Sequence, residues 1–292
     1  MRTMSKILIT GATGHLGTAV VNQLLKNTDA NNIVALARDE NKAKALKEKG
    51  VEVRLGTFDD TDSLDKALQG IEKVLLISTA DENRLQQHKN VVDAAKKASV
   101  KFIAYTSAPL KDLNSLVSKP LFGSHFQTED YIKASGLTHA FLRNTIYVDM
   151  VPMYVGERVF ETGIYLPTGT GKVPFALRRE MGEATANLLL QSEQHQNKAY
   201  DITNTELYSF EDVANALSEL SGKTVTYTNT DIDDFTKTLK ERHVPEQFIV
   251  IIVALLTDFR NHQFEEVTND LEKLLGRKPA TLKEALKELY KL

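Results

Sequence analysis

The chain has 292 residues, a formal charge of −3 with both signs interspersed, and no cysteine. That length can bury a sizeable core without staples, and the missing thiols exclude disulfides, cysteine nucleophiles and cysteine-ligated zinc. No basic tract offers a phosphate-tracking surface, so the expected partner is a small molecule and not nucleic acid. The start, Met1-Arg2-Thr3-Met4-Ser5-Lys6, runs straight into a strand-like Ile7-Leu8-Ile9 with no apolar signal region, and a cytoplasmic setting is the expectation. The most apolar run, 248–256, has nine residues, about half of what a membrane-spanning helix needs. It reads as a buried helix or an interface, and no membrane partner is expected.

Through the first half, β-rich apolar runs alternate with longer segments of helical period, which argues for βαβ units and a parallel sheet. Strands are predicted at 6–10, 33–37, 51–55, 74–77, 102–106 and 138–142, with helices at 16–27, 41–49, 63–68, 83–98 and 125–135. Six strands with crossover helices give a doubly wound sheet whose ligand lies across the carboxyl ends, at the switch point between the first and fourth strands. After about Asn144 the pattern changes to a Gly- and Pro-punctuated stretch, 151–174, and then to helices separated by one short strand at 224–228. The fold class is therefore α/β. A Rossmann domain is expected over 1–145 and a smaller, mainly helical substrate lobe over 146–292, with the chain free to interleave between them. The acidic stretch Asp231-Ile232-Asp233-Asp234 reads as a helix start, with negative charge at the positive end of the dipole.

The first predicted strand feeds Gly11-Ala12-Thr13-Gly14-His15-Leu16-Gly17, and a helix leaves it. That context matters, because phosphate binding depends on backbone amides at a helix N-terminus facing a pyrophosphate. Gly11 permits the tight turn, Gly14 lets phosphates approach the backbone, and Gly17 lets the helix sit close on the strand. At the end of the second strand an acid would bond a free ribose 2′-hydroxyl, whereas an arginine would pair with a 2′-phosphate. Arg38 stands there and favours NADPH; Asp39 is its neighbour, and a shift of one position would favour NADH.

These segments, with Ala37-Arg38-Asp39, Phe102-Ile103-Ala104-Tyr105-Thr106-Ser107 and Leu142-Arg143-Asn144-Thr145-Ile146-Tyr147, resemble the NmrA-like, atypical branch of the short-chain dehydrogenases. Within it the likeness is to the type 2 NADPH:quinone oxidoreductases and triphenylmethane reductases. It continues at Tyr200-Asp201-Ile202-Thr203, Leu217-Ser218-Glu219-Leu220-Ser221-Gly222-Lys223 and Gly276-Arg277-Lys278-Pro279, and so covers most of the chain. The resemblance implies pyrophosphate contacts at Gly11, Thr13, Gly14, His15, Leu16 and Gly17, a 2′-phosphate contact at Arg38, and Phe58 with Asp59 near the adenine. It further implies Ser78 and Thr79 closing the fourth strand, Ser107 closing the fifth, and Arg143, Asn144 and Thr145 running past the nicotinamide. Ser78, Thr79 and Ser107 have a second reading, in which they only satisfy backbone groups at strand ends.

Most short-chain dehydrogenases exchange a proton with the substrate oxygen through a Tyr-x-x-x-Lys pair on the helix after the fifth strand. No such pair exists in this sequence. The spacing is occupied by His125 and Glu129, an i,i+4 couple, and Glu129 would favour a charged imidazolium that assists as a hydrogen-bond donor; the bland reading is an ordinary surface pair. A quinone asks less of an enzyme, since hydride addition gives a hydroquinone anion whose conjugate acid resembles a phenol, with pKa about 10. Tyr147, Met150, Met153, Tyr154, Phe160 and Phe175 follow the nicotinamide segment and either line a flat apolar slot or belong to the core. With Asn144 and Tyr147 beside the nicotinamide, His125, Asn144 and Tyr147 are the candidate catalytic residues. His88, His139, His195, His243 and His262 show no His-x-x-x-His spacing, so no catalytic metal is expected. The resulting reading is an NADPH-dependent oxidoreductase that passes hydride to a quinone or related electrophile without flavin or metal. The alternative is a non-enzymatic NAD(P)-sensing regulator, and a third reading is a reductase of dyes.

Overall fold

The computed structural model describes residues 5–110 and 112–292; Met1 to Met4, part of the start read above as lacking a signal region, and Lys111 lie outside the described residues. The first half alternates as its hydrophobic pattern predicts. It runs β1 (Ile7–Ile9), α1 (His15–Asn27), β2 (Ile33–Ala37), α2 (Lys44–Glu48), β3 (Glu52–Leu55), α3 (Thr61–Ala67), β4 (Lys73–Leu76) and α4 (Arg84–Lys97). Then come β5 (Phe102–Ser107), α5 (Lys119–Ser135), β6 (His139–Asn144), α6 (Val151–Val155), α7 (Val159–Thr162), β7 (Ile164–Leu166), α8 (Arg178–Leu190) and β8 (Lys198–Ile202). The chain ends with α9 (Phe210–Ser221), β9 (Tyr227–Asn229), α10 (Ile232–Glu241), α11 (Glu246–Arg260), α12 (Asp270–Leu275) and α13 (Leu282–Tyr290).

Seven strands form one sheet in the order β3-β2-β1-β4-β5-β6-β8, the Rossmann-like winding, which reverses between β1 and β4. The pairing is parallel, with Ile9 opposite Ala35 on one side and Leu75 on the other. Every residue of β1, β2 and β5 is buried, as expected of parallel strands covered on both faces. Leu8, Val34, Val74, Ile103 and Phe141 share a core with Leu64, Leu68, Val91, Val92 and Ala95, each large side chain worth about 1.5–3 kcal/mol when withdrawn from water.

The sequence pattern gave six strands, and the seventh corrects it. Lys198-Ala199-Tyr200-Asp201-Ile202 is an edge strand of mixed polarity with only Ile202 buried, so it carries no apolar run to announce it. Backbone bonds join its flank to β6, from Asn197 N to His139 O at 2.6 Å, and from Thr145 N to Ile202 O at 3.0 Å. β7 likewise lies inside the stretch read as irregular; it pairs with β9, which begins at Tyr227, within the strand expected at 224–228. The acidic stretch is a helix start as read: Asp231 caps α10 by accepting from Asp233 N at 2.8 Å.

The chain forms two compact units. The first comprises the residues up to Ala108, Ser124–Asn144 and Arg178–Asp201; the second comprises Pro109–Gly123, Thr145–Leu177 and Ile202–Leu292. Arg178–Asp201 thus belongs to the first unit, although it lies beyond the expected boundary at 145. α8 packs against α1 through small residues, so close that a Cβ on Gly182 would stand 2.5 Å from the Ala19 Cβ. Lys73 Nζ also donates to the Leu189 carbonyl at 2.8 Å. The second unit has its own core, in which Phe175 and Phe259 both pack on Phe210. There Asp258, fully buried on α11, accepts from Val117 N at 2.9 Å and Ser118 N at 2.8 Å, tying the start of α5. The apolar run 248–256 is helical, with Ile249 and Leu256 buried and Phe248, Val250 and Ile251 exposed. Among the described residues no helix is long and apolar enough to cross a membrane.

Because the Gly182 contact leaves no room for two methyl groups, Gly182→Val should lower the unfolding free energy by about 1–3 kcal/mol. Denaturant titration of the purified variant measures this; an unchanged midpoint would show that α1 and α8 separate without cost.

Candidate functional site

The glycine-rich loop occupies the switch point between β1 and β4. Gly11 takes φ +58°, a left-handed conformation that a side chain would strain. Its carbonyl accepts from Gly14 N at 3.0 Å and faces Gly17, where an added Cβ would lie 2.2 Å from that oxygen. Gly17 is thus required by the approach of α1 to the end of β1. An added Cβ on Gly14 would meet only the same oxygen, at 3.3 Å, and Gly14 is exposed. Gly14 is the N-cap of α1, with no side-chain cap and no acidic residue in the first turn. The opening amides and the positive end of the dipole are left for an anion. Thr13 and His15 are exposed beside them, while Leu16 is buried.

At the end of β2, Arg38 is exposed and forms no hydrogen bond or ion pair among the described residues. Asp39 instead accepts from Asn41 N at 2.8 Å, a local turn that directs its carboxylate into its own loop. Phe58 is half-buried and Asp59 exposed, both in the loop after β3. At the end of β4, Ser78 N donates to Thr106 Oγ1 at 2.9 Å and Thr79 Oγ1 donates to Gln87 Oε1 at 3.1 Å. In these bonds neither hydroxyl satisfies a backbone group: Ser78 Oγ accepts from Thr106 Oγ1 at 3.5 Å, and Thr79 turns to the Gln87 side chain.

Ser107 and Asn144 differ. They close β5 and β6, adjacent strands in which Ser107 stands opposite Arg143. Ser107 is 5% and Asn144 8% exposed, yet among the described residues the serine Oγ and both polar atoms of the Asn144 amide have no hydrogen-bond partner. Buried amides and hydroxyls left this way cost about 1–3 kcal/mol each, a cost removed by a ligand offering complementary groups. A nicotinamide carboxamide, with one acceptor and two donors, fits such a pair. Together with the glycine cradle and the uncapped helix, the residues present fit a dinucleotide.

Arg143 does not join them. Its Nε and Nη2 donate to the two oxygens of buried Glu129, at 2.9 and 2.7 Å, and its Nη1 lies 3.7 Å from Asp201. This overturns the reading of His125 as an imidazolium favoured by Glu129. His125 is buried; Arg84 Nη1 donates to its Nε2 at 2.7 Å, which leaves the proton on Nδ1, facing Tyr105 Oη at 2.9 Å. Burial, then the Arg84 charge and His88, push its pKa down to about 3. His88 is pushed to about 3 as well, by burial and then Arg84. His125 is therefore uncharged, neither member of the couple is on the surface, and both ring nitrogens of His125 are engaged. The sequence showed the i,i+4 spacing but not Arg84 and Arg143, which reach it from α4 and β6.

In the second unit, Thr145 is buried and Tyr147 precedes a short turn, its carbonyl accepting from Met150 N at 3.0 Å. Of the aromatic set, Phe175 is core, Tyr154 packs on Phe210 and Phe259, and Phe160 packs on Tyr290, whereas Met153 is 61% exposed. The core reading thus accounts for three of the six.

A model of the NmrA-like family matches residues 3–289. Quinone oxidoreductase 2 of Escherichia coli is 35% identical over 97% of this chain and 98% of that protein. Among solved structures, the Citrobacter sp. triphenylmethane reductase complexed with NADP(H) gives a TM-score of 0.89 at 35% identity, covering 97% of this chain and all of that one. The Escherichia coli NADPH-dependent quinone oxidoreductase complexed with NADPH gives 0.88 at 34% identity, covering 97% and 99%.

The two buried histidines make stability depend on pH. Unfolded, each takes up a proton near 6.5; folded, each stays neutral down to about 3. The unfolded state binds more protons through that window, so their contribution is full above 6.5 and is lost as the pH falls toward 3. Well below 6.5, His125→Gln should flatten the fall of unfolding free energy by about 1.4 kcal/mol per pH unit. Denaturant titrations from pH 7 to 5 measure the slopes, and equal slopes would show that His125 is charged in the folded protein.

Proposed function

The chain belongs to the NmrA-like family, and on that premise we propose that it is an NADPH-dependent reductase delivering hydride to a quinone or similarly conjugated electrophile, without flavin or metal. Its relatives include an NADPH-dependent quinone oxidoreductase and an NAD(P)H azoreductase. The observation that carries the reading is the state of α5. Where short-chain dehydrogenases hold a phenol and an ammonium, this chain has His125 bonded to Arg84 and Tyr105, and Glu129 bonded to Arg143. Neither group stands ready to give a proton to a substrate oxygen. Acceptors that need no general acid fit such a site, because a hydroquinone anion, of conjugate-acid pKa about 10, leaves or takes its proton from water.

The reduced nicotinamide, when bound, supplies the hydride. The first-turn amides of α1 would hold the pyrophosphate, and the exposed guanidinium of Arg38, unpaired among the described residues, would receive the 2′-phosphate while Asp39 is turned away. Ser107 and Asn144 fix the nicotinamide edge with the buried polar atoms described above. Holding the ring in one orientation next to the acceptor is the protein's main contribution to the rate.

Purified protein with NADPH and no added flavin should lose the NADPH absorbance band on addition of a quinone from a panel. Tight binding with no oxidation by any quinone would favour a nucleotide-sensing regulator. Asn144→Ala should lower quinone turnover at least tenfold and weaken NADPH binding less; unchanged turnover removes Asn144 from the site. Arg38→Glu should weaken NADPH by about ten- to a hundredfold, the loss of a charge-assisted contact of about 1.5–3 kcal/mol, and leave NADH within a few-fold. Equal losses for both dinucleotides would overturn the 2′-phosphate assignment.

A further inference from the structure

Of the 15 glycines, all but Gly14 and Gly123 either hold a positive φ or stand where an added Cβ would come within 3.0 Å of another atom. Gly14 belongs to the glycine-rich loop. Gly123 has no such reason: it is the fifth residue of α5, a helix of 17 residues, and an added Cβ would meet only Leu113 Cδ2, at 3.8 Å. Alanine would fit there and make a better helix, since a glycine inside a helix favours the opened turn about two- to fivefold. Ser124 follows. Its carbonyl, which the helix offers to the Thr128 amide, also accepts from Thr128 Oγ1 at 2.7 Å. A glycine-serine pair, and a threonine bonded back to the carbonyl four residues earlier, are both places where helices bend.

The chain is gripped on either side of this pair by different sets of residues. Before it, Asp258 accepts from Val117 N at 2.9 Å, from Ser118 N at 2.8 Å and from Ser118 Oγ, and Leu116 and Phe122 join the core of the second unit. After it, His125 is held by Arg84 and Tyr105, Thr128 Oγ1 accepts from His88 Nδ1 at 3.0 Å, and Glu129 binds Arg143, all within the first unit. The chain passes from one unit to the other after Ala108, Gly123, Asn144, Leu177 and Asp201, and only after Gly123 does a helix run through the passage. The other passages lie at element ends or in a loop, where φ and ψ change without breaking a helix. We propose that Gly123 and Ser124 form a hinge at which α5 bends, its first turn following Asp258 while the turns from His125 onward stay with β5 and β6. The moving segment leaves β5 just after Ser107, and on the reductase reading above, on which this step alone rests, the bend paces turnover.

Because the chain has no cysteine, spin labels can be placed cleanly on cysteines introduced at exposed positions. Pulsed EPR distances are read for the double variant Lys96→Cys with Lys119→Cys, which spans the hinge, and for Lys96→Cys with Ala134→Cys, which does not. The first pair should give the broader distribution, and adding Gly123→Ala should narrow it while leaving the second pair unchanged. Without labels, Gly123→Ala should slow amide hydrogen exchange about two- to fivefold over residues 124–127 and leave 130–134 unchanged. It should also raise the unfolding temperature, because alanine suits the straight helix. Equal widths for the two pairs, a width or an exchange rate that Gly123→Ala does not alter, or a lowered unfolding temperature overturns the hinge. With NADPH and a quinone, Gly123→Ala should lower kcat about two- to fivefold with NADPH affinity unchanged; an unaltered kcat overturns the pacing of turnover. A wild type that oxidises no NADPH removes the reductase reading, and the distances and exchange rates still decide the hinge.

Discussion

Backbone lies on backbone where Gly17 meets the Gly11 carbonyl, and no side chain of any size fits between them. Because that contact presses the first turn of α1 against the end of β1, the helix dipole ends at the point where the strand order reverses. α1 then serves as a seat on its other side, where Gly182 brings α8 down against Ala19 and Val20. The two close approaches fix α1 from both directions. A helix held so firmly keeps its opening amides in one place before any ligand arrives, which is what makes an uncapped N-terminus useful instead of frayed.

The polar face of α5 illustrates a different economy. Glu129 is 1% exposed and gives both oxygens to Arg143, and His125 is closed in by Arg84 and Tyr105. Breaking a buried pair of this kind strands a charge and costs about 3–5 kcal/mol. Side chains at the spacing that serves proton transfer in tyrosine-dependent relatives of this fold are here bound into the frame that holds β6. Asn144, the next residue along that strand, keeps its amide unpartnered among the described residues, as does the Ser107 hydroxyl on the adjacent strand.

Much of this architecture was legible in the sequence. Apolar runs such as Ile33-Val34-Ala35-Leu36-Ala37 announce buried parallel strands, and the glycine spacing announces the turn, because each follows from sterics and burial over a few adjacent residues. β8 was not legible, since an edge strand can be polar, nor was β7, three residues long amid turns. The same limit applies to the site. Arg38 and Asp39 sit side by side in the sequence, and only the turn made by Asp39 with Asn41 shows which of them faces outward. The His125 and Glu129 spacing was visible, but their partners Arg84 and Arg143 lie 41 and 14 residues away, beyond any local pattern.

The return of α8 and β8 to the first unit constrains how the chain can be made. Their contacts with α1, β4 and β6 close long loops, the one from Lys73 to Leu189 spanning 116 positions and the one from Ala19 to Gly182 more, so the sheet's last edge waits on a segment that leaves the ribosome after most of the second unit's early residues. Until then β6 is an open edge bearing buried-type side chains, exposed to pairing with other chains. Cutting the gene after β6 would therefore yield no independent nucleotide-binding module. It would yield a sheet without its border and a helix, α1, without the neighbour that covers its back.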